Sequence, residues 1–261
     1  MATVRSLSGN DAFIEALQQT VTFAFQPIVD LRTGETHGVE ALIRNLDKLG
    51  FQSIPAFFDY AWSAGILTHV DFLIRSLALT QVSNVTALSG RKVFLNVDAR
   101  IMADRDGRRV RNLDVLRKTG LASDQIVLES RFLDAGQPFS WHDGEPALCR
   151  ENGYGLAIDD FGRGIGELRV CYTHAPKYVK IDPHFATESK TDRKRRPFIQ
   201  ALVDFTHALK AQAIAKGIES AEDAAVFRDA GCDYAQGFWI AHPTTDHDKL
   251  RAAYPHVCGK T

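Results

Sequence analysis

The hydrophobic pattern of the chain alternates between short apolar runs, typical of buried strands, and longer stretches with helical periodicity. A short amphipathic helix before residue 20 precedes the run TFAFQPIVD, which predicts a strand over 21–30. The segment THGVEALIR predicts another strand over 36–44. Only the turn LRTGE separates the two strands, so we expect them to pair as an antiparallel hairpin.

Predicted helices and strands alternate after this hairpin. The helices fall at about 54–64, 67–83, 110–119, 146–152, 167–173, 197–211 and 221–230. The strands carry the sequences KVFLNV, QIVLE, LAID, YVKI, AIAK and DYAQGFWI. Such alternation requires a mainly parallel sheet, and about eight strands with an initial hairpin predict a TIM-like (β/α)8 barrel with an irregular antiparallel first pairing. A doubly wound α/β sheet is the alternative, but no GxGxxG motif follows the first strand.

No internal repeat or low-complexity linker divides the sequence. We interpret residues 1–20 as an N-terminal helical lead-in and residues 21–261 as a single barrel domain. The length of 261 residues suits this interpretation, because an α/β barrel commonly needs about 250.

Composition narrows the class of protein. The chain is 45% hydrophobic and 24% charged, as expected of a globular protein with a sizeable core. A formal net charge of −1 argues against nucleic-acid polymers and anionic membranes as partners. Met1–Asn10 lacks the apolar region of a secretory signal, and no apolar run reaches the roughly 18 residues of a membrane span. The four cysteines lack CxxC spacing, so we expect reduced thiols and no zinc site. Together with the missing signal and membrane span, this predicts a cytoplasmic protein without membrane insertion.

The stretch GLAIDDFGRGIGEL ends a buried apolar run in two adjacent carboxylates, Asp159 and Asp160. The glycine-rich segment after them is typical of a mobile loop whose residues can adopt positive φ. Two acids at a strand end indicate a cation site, whereas a helix N-cap beside a solvated acid is the structural alternative. Polar residues at the other strand ends favour the cation site.

Polar side chains lie at or near the end of most predicted strands. They are Glu40, Asn96, Glu129, Asp159, Lys180, Lys216 and Gln236. The carboxyl ends of the strands of an α/β barrel share one face, so we expect these side chains to converge. Oxygen ligands from such residues suit Mg²⁺ or Mn²⁺, and two such ions can clamp a phosphodiester. Structural roles remain open for single members, with Asn96 supporting a loop, Lys180 neutralising buried carboxylates and Gln236 bonding backbone.

Other catalytic motifs are missing from the sequence. It contains neither the HExxH motif of zinc proteases nor the GxSxG motif of serine hydrolases. None of the nine histidines lies at a predicted strand end beside the acids, which favours surface or capping roles for them.

Several segments occur in the order and spacing of one family. The sequence Glu40-Ala41-Leu42 is followed by Arg44, and then by LNV, LE, AIDDFGRG, YVKID and QGFWIAHP. Over about residues 20–245 the chain therefore resembles the EAL domain family of cyclic di-GMP phosphodiesterases. The resemblance implies a barrel with an irregular first pairing and metal-assisted hydrolysis of one phosphodiester of cyclic di-GMP to pGpG.

The resemblance also implies roles for individual residues. Ligands of Mg²⁺ or Mn²⁺ would be Glu40, Asn96, Glu129, Asp159 and Asp160. Catalytic positions would fall on Lys180, which orients the water, on Asp160 and on Lys216. Contacts to the ligand would come from Gln26, Leu42, Arg44 and Gln236, with Gln26 near a base and Arg44 near a phosphate.

Three features depart from the family pattern. Lys216 stands where the family motif AEGVE has its first Glu, a metal ligand or base. Phe132 stands where active members have a second Glu, associated with holding the loop after the paired aspartates. That loop also differs, since Arg163, Ile165, Gly166 and Glu167 replace the usual Thr, Tyr, Ser and Ser.

Charge decides the functional prediction. The four acidic members of the cluster contribute −4 and its two lysines contribute +2, and the remaining −2 no longer demands two divalent ions. We therefore predict an EAL-type signalling domain that binds cyclic di-GMP or a protein partner with weak or no hydrolysis. An active metal-dependent phosphodiesterase is the alternative. The resemblance further implies a homodimer, and a sensor or effector protein is a further candidate partner.

Overall fold

Eight strands form a closed barrel in which neighbours follow chain order. The computed structural model describes residues 9–102, 113–131, 149–188 and 195–258. The strands are β1 Thr22–Asp30, β2 Thr36–Arg44, β3 Lys92–Asn96, β4 Ile126–Arg131, β5 Gly155–Phe161, β6 Tyr178–Ile181, β7 Gln212–Ala215 and β8 Tyr234–Ala235. Strand β1 is antiparallel to both β2 and β8, and the other neighbouring pairs are parallel. The predicted barrel with an antiparallel first pairing is confirmed.

Helices pack against the outside of this barrel. They are α1 Asn10–Thr20, α2 Ile54–Ser63, α3 Leu67–Ser83, α4 Ala99–Met102, α5 Leu113–Thr119, α6 Ile165–His174, α7 His184–Glu188, α8 Arg195–Ala208 and α9 Ala221–Asp229. Residues 149–151 are also helical. Parts of the predicted helices 110–119 and 146–152 lie outside the described residues, as does Phe132.

One apolar cluster joins the helices to the strands. It includes Leu17 of α1, Leu79 of α3 and Phe227 of α9 together with strand residues such as Val93 and Ile181, each almost fully buried. Burial of this surface is the main favourable contribution to folding. None of the helices in the described part of the chain has both the length and the apolar character needed to cross a membrane.

Side chains inside the barrel form two layers, as the period of a strand predicts. The lower layer is apolar and contains Ile28, Phe94, Val127, Ala157, Tyr178, Ile214 and Tyr234. Residues two positions apart on a strand point to the same side. Two positions beyond these residues on β3 to β8 lie Asn96, Glu129, Asp159, Lys180, Lys216 and Gln236. Gln26 lies two positions before Ile28 on β1, which runs the other way, so a polar layer covers the apolar one.

His37 lies below the apolar layer, near the amino ends of the parallel strands. Its ring stacks on Tyr234 with centroids 3.9 Å apart, and its Nε2 lies 2.9 Å from the hydroxyl of Tyr178. Burial and the charges of Lys92 and Lys177 lower the pKa of His37 from its ordinary 6.5 to about 4. The surface or capping role expected for histidines therefore does not apply to His37.

We expect His37 to make the fold less stable in mild acid. Between pH 6.5 and 4 the unfolded chain binds a proton that the folded chain excludes, so stability falls as pH falls. The full effect is on the order of 3 kcal/mol. Urea unfolding of the wild type and of His37→Phe at pH 7 and pH 4.5 should show a larger acid-induced loss for the wild type. Equal losses would mean that protons reach this imidazole in the folded state.

The prediction of a strand over DYAQGFWI is correct only for its second and third residues and is wrong for the others. Only Tyr234–Ala235 is a strand. The chain then turns, because Trp239 N–H donates to the carbonyl of Ile218 at 3.0 Å and Ile240 N–H donates to that of Gly237 at 3.1 Å. A Cβ on Gly237 would lie only 2.1 Å from the carbonyl oxygen of Ile218, so the close approach requires glycine. The apolar FWI residues thus belong to a turn rather than to a strand ladder.

Candidate functional site

Lys180 of β6 is fully buried at the centre of the polar layer. Its Nζ donates to Oε2 of Glu40 and to both carboxylate oxygens of Glu129, each at 2.8 Å. Burial by itself would lower the pKa of Lys180, but the two carboxylates outweigh it and raise this pKa above its ordinary value. Lys180 is therefore a permanent cation under the site.

The two glutamates differ in their environments. Burial raises the pKa of Glu129, and the nearby charge of Glu40 raises it further against the attraction of Lys180. Burial also acts on Glu40, but Lys180 outweighs it and holds the pKa of Glu40 below its ordinary value. Glu40 additionally accepts Asn96 Nδ2 at 3.0 Å and Gln236 Nε2 at 2.9 Å. Glu40 thus links β2 to three other parts of the barrel.

Two glutamines extend this network toward β1. Nε2 of Gln236 also donates to Oε1 of Gln26 at 2.9 Å, and Nε2 of Gln26 donates to the carbonyl of Ala241 at 3.1 Å. Oε1 of Gln236 is buried and has no hydrogen-bond partner among the described residues. A buried acceptor without a donor is unfavourable, so this oxygen is suited to a donor from a ligand or water.

Asp159 and Asp160 both face the polar layer, although adjacent residues of a regular strand point to opposite sides. The pairing of β5 with β6 shifts register between Ile158 and Phe161, and Asp160 has a φ of 53°. This left-handed conformation is tolerated better by aspartate than by most other residues. The irregular backbone therefore brings the second carboxylate into the site.

Two cations bind this pair of aspartates. Nζ of Lys216 donates to Oδ1 of Asp159 and, at 2.7 Å, to Oδ1 of Asp160. Nε of Arg131 lies 2.8 Å from Oδ2 of Asp160 and 3.6 Å from Oδ2 of Asp159. Arg131 was not predicted, although its position two residues after Glu129 on β4 is the signal that would have identified it.

These contacts fix the charge states. Burial would raise the pKa of Asp159, but Lys180 and Lys216 outweigh it and lower this pKa below its ordinary value. Burial and the charge of Lys180 act against protonated Lys216, but the carboxylates prevail and the pKa of Lys216 is raised. Asp159 and Lys216 are thus ionised together.

The loop after the acid pair is held by its own glutamate. Oε2 of Glu167 in the first turn of α6 accepts the N–H groups of Gly162 at 2.5 Å and Arg163 at 3.1 Å. Nε of Arg163 donates to Asp182, which follows β6. Burial raises the pKa of Glu167 despite these donors. The loop expected to be mobile is short, and α6 begins at Ile165.

A cavity of about 990 Å³ lies above the polar layer. Its wall includes the predicted residues Gln26, Glu40, Leu42, Asn96, Asp159, Lys216 and Gln236. Helices α2 and α3 also contribute to the wall, through Phe58 and Ile74 among others. The volume is typical of sites that enclose a small organic ligand.

Four predicted residues are not among those that line this cavity in the described chain. Glu129 and Lys180 are fully buried, and Asp160 is 6% exposed. Nη1 of Arg44 instead donates to the carbonyls of Leu42 and Ile43, at 3.3 and 2.9 Å, and burial lowers the pKa of Arg44. The predicted contact between Arg44 and a ligand phosphate stays a prediction.

The oxygen donors of the polar layer are of the kind that binds a hard divalent ion, but their arrangement in the structure is not that of a metal site. The carboxylate oxygens of the layer already accept Lys180, Lys216 or Arg131. Among the described residues, no group of three or more His, Cys, Asp or Glu side chains is arranged to hold a metal ion. In this conformation lysine and arginine side chains, rather than a metal ion, neutralise the carboxylates. Metal binding stays a prediction for the five expected ligands of Mg²⁺ or Mn²⁺, namely Glu40, Asn96, Glu129, Asp159 and Asp160.

The fold and this layer define a class of protein, namely TIM-like barrels with a polar site at the carboxyl ends of the strands. The chain belongs to the EAL domain family, whose model matches residues 10–243. PdeN of Escherichia coli (strain K12), named a probable cyclic di-GMP phosphodiesterase, is 26% identical over 96% of this chain and 49% of its own length. The chain spans 28% to 49% of the length of the first curated relatives it matches.

Solved structures of EAL proteins share the architecture. The EAL enzyme Bd1971 bound to cAMP and cyclic di-GMP has a TM-score of 0.77 and 26% identity, covering 92% of this chain and 66% of that one. Klebsiella pneumoniae BlrP1 in complex with manganese and cyclic di-GMP has a TM-score of 0.75 and 24% identity, covering 86% of this chain and 56% of that one. The second likeness supports the fold alone.

Proposed function

We propose that this domain binds cyclic di-GMP and hydrolyses it weakly or not at all. The observation that carries the proposal is the ammonium group of Lys216, which bonds both Asp159 and Asp160. Two-metal hydrolysis needs ions that hold the attacking and leaving oxygens of the phosphodiester. Because the ammonium group of Lys216 occupies oxygens of the central carboxylates, these oxygens are not free to bind the two metal ions.

Binding is supported by features that do not depend on the paired acids. The cavity has room for a small organic ligand, and Gln26, Leu42 and Gln236 lie on its wall. The buried Oε1 of Gln236, which has no partner among the described residues, offers an acceptor to a donor such as a base N–H. Bd1971 is a relative whose structure is described as bound to cyclic di-GMP.

An active phosphodiesterase is the second candidate, because the chain has five oxygen donors that suit a metal, although Lys216 replaces the family glutamate. The five donors are Glu40, Asn96, Glu129, Asp159 and Asp160. If Lys216 and Arg131 moved away, these residues would hold Mg²⁺ or Mn²⁺, which would polarise the phosphodiester and activate a water.

Parallel assays of binding and turnover separate the two candidates. Calorimetric titration with cyclic di-GMP in Ca²⁺ should show saturable binding, and chromatography after incubation with Mg²⁺ or Mn²⁺ should show little or no pGpG. Turnover of about 1 s⁻¹ or faster would contradict the proposal, because that is an ordinary enzymatic rate. Lack of binding at every concentration would leave only a role in binding a protein partner.

The expected homodimer and sensor or effector partner stay proposals. Helix α6, directly after the loop, exposes 40% of Leu168 and 78% of Tyr172. Analytical ultracentrifugation of the chain over a range of concentrations tests the homodimer.

A further inference from the structure

The cations on the paired aspartates have hydrogen-bond donors to spare. An ammonium group has three N–H donors, and Lys216 uses two of them on Asp159 and Asp160. A guanidinium group has five, and Arg131 approaches Asp160 and Asp159 through its Nε. Both side chains line the cavity, with Lys216 17% exposed and Arg131 66% exposed. The spare donors are therefore available to an acceptor in the cavity.

Lys216 and Arg131 also change the formal charge of the polar layer. If all four carboxylates of the layer are counted as ionised, the layer with Lys180 as its cation has a formal charge of −3, and Lys216 and Arg131 reduce this charge to −1. A ligand with two phosphodiester groups is a dianion, which a cluster of −3 repels strongly in a partly buried site. In a site of −3, divalent ions would have to supply the compensating charge. Here the protein supplies most of it.

We infer that Lys216 and Arg131 bind a phosphodiester group of the ligand directly, so that cyclic di-GMP binds without a divalent ion. This inference rests on the proposed function and adds the residues and the metal independence. The remaining N–H of Lys216 and the terminal amino groups of Arg131 donate to phosphate oxygens, while Asp159 and Asp160 keep both cations in place. Guanidinium groups match the paired oxygens of a phosphate particularly well.

The backbone orients this pair before a ligand arrives. Arg131 pairs in register with Asp159 across β4 and β5, and the left-handed φ of Asp160 directs its carboxylate to the same place. Side chains that are already positioned lose less conformational freedom on binding. The ion pair between Arg131 and Asp160 therefore prepares the guanidinium group for a phosphate.

The competing explanation is that Arg131 is only an exposed ion pair. Such pairs contribute little to stability, and removing one would not change affinity for a ligand. Ligand affinity and its dependence on salt therefore distinguish a binding role from a structural one, because screening weakens attraction between charges of the protein and the ligand.

The test is calorimetric titration of the chain with cyclic di-GMP, in excess EDTA and again in Mn²⁺. We expect Kd values within about threefold of each other in the two conditions. Arg131→Ala should weaken binding about tenfold or more and reduce its sensitivity to NaCl, because a charged hydrogen bond is lost. Arg131→Lys, which keeps the charge, should recover part of the affinity. Arg169→Ala, at an exposed arginine of α6 away from the cavity wall, is the matched control and should bind as the wild type does.

Three outcomes would overturn the inference. Binding that disappears in EDTA and returns with Mn²⁺ would show that a metal is required, while the proposed function would stand. Binding by Arg131→Ala with wild-type affinity and salt dependence would remove Arg131 from the site. Absence of binding in both conditions would overturn the proposed function itself, and with it this inference. Circular dichroism of each variant establishes that it is folded.

Discussion

Lys216→Glu should make the polar layer bind divalent ions and should raise hydrolysis of cyclic di-GMP. The substitution removes the cation that bonds Asp159 and Asp160 and adds a carboxylate, so the local formal charge changes by −2. Oxygen ligands with excess negative charge favour Mg²⁺ and Mn²⁺. We expect Mn²⁺ affinity to rise at least tenfold, measured by calorimetry. Release of pGpG should rise by a similar factor or more, because a positioned base contributes about 10²- to 10⁴-fold in rate.

The neutral variant Lys216→Met is the control for this experiment. It removes the cation without adding a ligand, so metal affinity should rise less than in Lys216→Glu. The glutamate variant should also bind cyclic di-GMP more tightly with Mn²⁺ than in EDTA, unlike the wild type. Metal affinity and hydrolysis unchanged from the wild type would show that Lys216 is not what prevents turnover.

Lys180→Met should reduce the free energy of unfolding by about 3–5 kcal/mol, the range found when one partner of a buried ion pair is removed. Lys180 is fully buried and bonds Glu40 once and Glu129 twice at 2.8 Å. Methionine fills the space but leaves two carboxylates without a buried cation. Urea unfolding at pH 7 measures the loss.

A second variant keeps this prediction testable if Lys180→Met does not fold. Lys180→Met combined with Glu129→Gln removes one of the stranded charges and should recover part of the lost stability. Lys249→Met changes an exposed lysine and should alter the free energy of unfolding by less than about 0.5 kcal/mol. A loss below about 1 kcal/mol for Lys180→Met would mean that water reaches the carboxylates when lysine is absent.

Local sequence was sufficient for most of the barrel. The short LRTGE turn between two apolar runs predicted the β1–β2 hairpin, because so few residues permit no crossover. The predicted bounds of β2 and α3 agree with the structure. The same reasoning failed for FWI after Gly237, where the chain turns, Ile240 is buried and Phe238 is 55% exposed. Periodicity reports burial, and burial alone does not distinguish a strand from a buried turn.

The sequence by itself determined which polar residues could meet. Alternation along each strand puts Glu129, Lys180 and Lys216 on the inner side, two positions beyond an apolar residue, and a closed barrel then brings their strand ends together. Only the tertiary structure decided which of them are partners. The register shift in β5 directs Asp160 beside Asp159, and Arg131 and Lys216 reach both from neighbouring strands. Distances between charges on different strands depend on register and backbone irregularity, which no local pattern specifies.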